Sequence, residues 1–106
     1  MEPTVEHRKH PRYLVHFKSL LSPDGVRLEE GLVLDLSLGG CRLMSDIHVL
    51  PGTPLELNIR PDQHAPIYVP RAVIRWERDS LFGLEFNEVP EVELATLTRL
   101  LWTLRA

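Results

Sequence analysis

The clearest regularity in the chain is PLELNIR, where Leu55, Leu57 and Ile59 alternate with Glu56, Asn58 and Arg60. A two-residue period puts the apolar side chains on one face of a half-buried strand and the polar ones on the other. Weaker versions of the pattern flank it. Tyr13 to Leu21 alternates imperfectly but is rich in β-formers, and it follows Pro11, which disfavours helix in the residue before it. SPDG, residues 22–25, has the proline and glycine of a tight turn, so this first strand should fold back as a hairpin. In VRLEEGLVLDLS, Leu32, Leu34 and Leu36 fall on one expected face, and GCRLMS resumes the pattern at the glycine pair as a third strand. Pro51 and Gly52 mark the turn before PLELNIR, and RPDQHAP the loop after it. IYVPRAVIRWER is long and β-prone, but Pro70 should break it or confine it to a sheet edge. LFGLEF, after a turn at Asp79 and Ser80, makes a sixth strand. Six short strands at this spacing predict a barrel or a sandwich.

Towards the C-terminus the period changes. Pro90 suits a first helical turn, Glu91 and Glu93 suit a helix N-terminus, and Leu94, Leu97, Leu101 and Leu104 recur at helical spacing. A helix over about 88–105 should lay this stripe on the strands. Trp102 is expected on its buried or partner-facing side. The fold class is therefore all-β with a C-terminal helix.

Composition narrows the function. A chain of 106 residues, 43% hydrophobic and 25% charged, is expected to fold around one core. Its apolar runs are only a few residues long, against the roughly 20 needed to span a bilayer, and MEPTVEHRKHPR lacks the apolar centre of a signal peptide. No membrane insertion is expected, and a single cysteine, Cys41, suits a reducing cytoplasm. The formal charge of −3 and only seven aromatic residues argue against a nucleic acid polymer as partner.

The charge is nevertheless unevenly placed. Between His7 and Lys18 stand four Lys or Arg residues and no carboxylate, whereas EFNEVPEVE, residues 85–93, holds four Glu and no base. An anion would be drawn to the first region. Within it, Arg8 and Arg12 form an R-x-x-x-R pair around Lys9, His10 and Pro11. Guanidiniums fork onto phosphate and onto the O6 and N7 edge of guanine, so an irregular segment carrying two of them could wrap a guanine nucleotide. The plainer reading is a solvated basic arm over residues 1–12. A second constellation is DLSLGG, where Asp35 offers acceptors for the N1 and N2 hydrogens of guanine, Ser37 a hydroxyl, and Gly39 and Gly40 an unobstructed backbone. Its plainer reading is a turn whose side chains satisfy local amides.

Taken together and in this order, R-x-x-x-R and D-x-S-x-x-G resemble the PilZ domain, a bacterial receptor module for cyclic di-GMP. The resemblance covers nearly the whole chain. Arg8 and Arg12 match the first motif, Asp35, Ser37 and Gly40 the second, and AVIRWERDSLFGLEF is similar to the family's last two strands. It implies a six-stranded antiparallel β-barrel over residues 13–106, with the C-terminal helix and a flexible arm over 1–12. It also implies a non-catalytic receptor whose ligand is cyclic di-GMP, with no further cofactor and an unidentified downstream protein as partner. Arg8 and Arg12 would meet phosphates and guanine edges, and Asp35, Ser37 and Gly40 would frame one base. His7 stands where many members carry arginine; His7, Lys9, Gly39 and Trp76 are candidate additional contacts. Arg75 and Arg78 read as solvated strand ends.

Competing chemistry is weaker. Arginines interleave His7, His10 and His16 and would repel a cation, so no metal site is expected. No serine with a matching His and Asp, no paired buried carboxylates and no thiol beside a histidine point to catalysis, and Cys41 reads as a small buried residue. The main alternative is an adaptor of the same fold that binds protein and no nucleotide.

Overall fold

The computed structural model describes residues 10–105. Six strands form: β1 (Tyr13–Ser22), β2 (Glu29–Leu36), β3 (Gly40–Ser45), β4 (Pro54–Arg60), β5 (Ile67–Arg78) and β6 (Leu81–Glu88), followed by helix α1 (Glu91–Leu104). They close into an antiparallel barrel in the order β1-β2-β3-β6-β5-β4. Closure removes the unpaired edges that an open sheet of this size would expose. The interior is filled by Leu21, Val33, Leu36, Leu43, Leu57, Ile59, Ile67, Val69, Ile74 and Phe82, none more than 1% exposed. Burying each such side chain favours folding by about 1.5–3 kcal/mol.

The β1–β2 connection behaves as its sequence demands. Asp24 Oδ1 accepts from the main-chain N–H groups of Val26 and Arg27, both at 2.9 Å. Those amides, Arg27 first, hold its carboxyl below the usual range. Gly25 takes φ of 77°, the left-handed conformation that favours glycine.

Register shifts occur in several ladders, and two of them overturn expectations from the sequence. In β2, Val33 and Leu36 point into the core, while Leu32 and Leu34 remain partly exposed. Leu34 is an extra residue: Val33 pairs with Leu43 and Asp35 with Arg42, so two steps on β2 face one on β3. The expected apolar face of Leu32, Leu34 and Leu36 is therefore split by a β-bulge. In β5, Pro70 neither ends the strand nor lies at an edge. It lies between Val69, paired with Leu57, and Ala72, paired with Leu55, where β5 has one residue more than β4. A bulge absorbs the residue that cannot donate to the ladder.

α1 packs against β5 through Leu97, Leu100 and Leu101, with Leu104 partly covered. Leu94, expected in the stripe, is 39% exposed, whereas Leu100, outside the expected stripe, is buried, so the covered face is rotated away from Leu94. Glu93 Oε1 accepts from Tyr68 N at 2.8 Å, tying the first turn of α1 to β5. Trp102 is 62% exposed, with the Arg105 guanidinium 4.4 Å from its ring centroid. No helix among the described residues is long and apolar enough to cross a membrane.

Candidate functional site

The bulge at Leu34 decides where Asp35 points. Under strict alternation Asp35 would share the inward face of Val33; the extra residue turns it to the outer wall, opposite Arg42. Asp35 is nonetheless only 7% exposed. Its Oδ1 accepts from Arg12 Nη1 at 3.0 Å and from Arg42 N at 2.9 Å, and its Oδ2 from Arg42 Nε at 3.2 Å. One covered carboxylate thus joins the segment before β1 to strand β3.

The turn between β2 and β3 is closed on itself. Ser37 N donates to Gly40 O at 2.9 Å, Ser37 Oγ donates to the same carbonyl at 3.3 Å, and Gly39 N donates to Ser37 Oγ at 3.2 Å. The Ser37 hydroxyl donates once and accepts once within the turn, which leaves one lone pair unused there. A Cβ at Gly40 would overlap the main-chain carbonyl of Leu84 in β6, so the close approach of two strands accounts for this glycine. Gly39 has a different neighbour: a Cβ there would come within 3.1 Å of His10 Cδ2, so the imidazole packs over it.

Beside this turn a cleft of about 500 Å³ runs over the outer wall, lined by His10, Arg12, Ser37, Gly39, Gly40, Arg75, Trp76, Gly83, Leu84 and Glu85. The Trp76 indole lies across Gly83, since any Cβ on Gly83 would overlap its pyrrole ring, and Trp76 keeps 42% of its surface exposed. The cross-strand pairs Trp76–Gly83, Gly83–Arg42, Arg42–Asp35 and Asp35–Leu14 form one row across β5, β6, β3, β2 and β1. On the rim, Arg75 Nε donates to Glu85 Oε1 at 2.6 Å. The wall is a flat aromatic at one end and a cation at the other, a surface that can stack a planar base and pair an anionic group.

The structure therefore brings Arg12, Asp35, Ser37, Gly39, Gly40 and Trp76 to one corner of the barrel. His7, Arg8 and Lys9 lie outside the described residues. Arg42, Gly83 and Glu85, the partner of Arg75 on the rim, were not singled out from the sequence. Arg42 was legible in principle, because a hairpin centred on residues 37–40 sets position 35 opposite 42. Arg75 is half-exposed, as a solvated side chain would be, and also lines the cleft. Behind the site, Cys41 is 1% exposed, and burial together with the neighbouring Asp35 carboxylate pushes its thiol well up from the ordinary 9.0.

Comparison with known families matches residues 6–101 to the PilZ domain. The chain belongs to the PilZ domain family. Solved PilZ structures share its fold at low identity. The PilZ domain of YcgR from Escherichia coli, solved with c-di-GMP, superposes with a TM-score of 0.76 at 16% identity, covering 92% of this chain and 91% of that one. The PilZ domain of CeSA from a cellulose-synthesizing bacterium gives a TM-score of 0.70 at 17% identity, over 91% of this chain and 99% of that one. The Bacillus subtilis inhibitor of motility, MotI/DgrA, gives 0.74 at 21% identity over 97% of this chain but 56% of its own. The chain spans about half the length of that protein and of the longer YcgR chain, of which it covers 46%. No curated protein matched by sequence.

Proposed function

We propose that this PilZ domain is a receptor for cyclic di-GMP that acts by binding and not by catalysis, in the cytoplasm. The observation that carries the reading is the Arg12–Asp35 pair at 3.0 Å, which joins the two sequence motifs at the mouth of one cleft. Family membership and the YcgR PilZ domain solved with c-di-GMP support it.

In this reading Arg12 turns from Asp35 to a phosphate or to the O6 and N7 edge of a guanine, and Trp76 stacks on a base. Arg8, with His7 and Lys9, joins from the arm, while Asp35, Ser37, Gly39 and Gly40 frame one guanine. A bidentate arginine–guanine contact discriminates by about 1–3 kcal/mol, and stacking on an aromatic contributes about the same. Closure of the arm over residues 1–12 then alters the surface offered to a downstream protein. His10 and Pro11 also line a smaller groove with Tyr13, Leu38, Trp102 and Arg105, so a moving arm reshapes that surface as well.

Calorimetric titration with cyclic di-GMP, repeated with cyclic di-AMP, tests the proposal. Saturable heat with the guanine dinucleotide alone is expected; no heat at tens of micromolar of either contradicts it. The exposed Trp102 favours a second reading, an adaptor that binds protein alone. Partner capture that is the same with and without nucleotide would select that reading.

A further inference from the structure

The cation that faces the cleft and the cation that holds Asp35 from behind are anchored differently. Arg42 lies within β3, and the ladder pairs it with Asp35 on one side and Gly83 on the other. Its main-chain donor cannot leave Asp35 without opening the barrel, and its Nε adds a second donor on the other carboxylate oxygen. Arg12 precedes β1, belongs to no strand, and offers one side-chain donor. It also lines the cleft, whereas Asp35 does not.

A covered carboxylate left without a cation is strongly disfavoured. If Arg12 were its sole partner, any move of Arg12 towards a ligand would strand that charge, and the arginine would stay. We propose that Arg42 is the resident counter-ion of Asp35, a positioning residue that frees Arg12 to exchange Asp35 for the anionic nucleotide. This rests on the nucleotide-binding reading above and assigns the site a moving arginine and a fixed one. When Arg12 leaves, Asp35 retains both Arg42 donors, and the lone pair vacated on Oδ1 becomes open to the N–H groups of a guanine.

The test titrates the full chain with cyclic di-GMP in three forms: wild type, Arg42→Met and Arg42→Lys. The methionine, which keeps the stem and loses the charge, is expected to weaken binding about tenfold or more, and the lysine to recover most of the loss. Arginine side-chain Nε–Hε resonances supply a readout that a merely structural role would not move. On adding cyclic di-GMP to wild type, the Arg12 signal shifts and the Arg42 signal stays; this measurement decides the matter if Arg42→Met does not fold. Wild-type binding that survives Arg42→Met within about twofold, or Arg12 and Arg42 signals that shift alike, overturns the inference. A wild type that binds nothing overturns the receptor reading first, and this inference with it.

Discussion

Arg12 Nη1 lies 3.0 Å from Asp35 Oδ1, across 23 positions of sequence. That contact draws the segment before β1 against the β2–β3 corner and makes one unit of two motifs that are each weak alone. The same Asp35 also accepts two hydrogen bonds from Arg42, so the partners of this carboxylate are unequal and their removal should have unequal effects.

Asp35→Ala removes the acceptor of three hydrogen bonds, whereas Arg12→Ala removes one donor and leaves Asp35 on Arg42. Urea denaturation should show Asp35→Ala less stable by about 1–3 kcal/mol and Arg12→Ala by under about 1 kcal/mol. Nucleotide binding is expected to fall in both. Equal stability losses would contradict the fixed and movable roles of the two arginines.

Gly40 and Gly83 should fail in different ways. A Cβ at Gly40 meets the main chain of Leu84, which cannot move without parting β3 from β6, so Gly40→Ala should cost about 1–3 kcal/mol. The atoms nearest a Cβ at Gly83 all belong to the Trp76 ring, a side chain that can shift, so Gly83→Ala should tilt the indole, cost less stability and lose more binding. Thermal melts beside titrations separate the two; a stable Gly40→Ala would contradict the close strand approach.

The Cys41 thiol should resist chemistry. Burial, with the Asp35 carboxylate, raises its pKa, so native protein at pH 8.5 is expected to stay unmodified by iodoacetamide while denatured protein reacts. The sign for stability follows. As pH rises above the ordinary 9.0, the unfolded thiol loses its proton and the folded one keeps it, so the fold weakens with pH. Replacing Cys41 with alanine should flatten that decline, and rapid labelling of native protein would contradict the burial.

Much of this was legible in the chain. PLELNIR alternates as β4 requires, SPDG turns where it should, and the paired motifs led to the right family. What periodicity could not supply were the bulges at Leu34 and Pro70. Leu34 matches the apolar pattern of Leu32 and Leu36, so nothing local marks it as extra; the register with β3 is a long-range property. Pro70 reads as an ending only if its strand has a free edge, and a closed barrel has none. Arg42 escaped notice for a related reason. Charged residues on outward strand positions usually face water, and its role became visible only once Asp35 was turned out to meet it.

The most direct measurement uses Trp102→Phe, which leaves Trp76 as the sole tryptophan of the chain. Titrated with cyclic di-GMP, its fluorescence should change saturably at the concentration where calorimetry reports binding, and the response should vanish with Arg12→Ala. Binding detected by calorimetry without any change at Trp76 would place the nucleotide elsewhere and contradict the site.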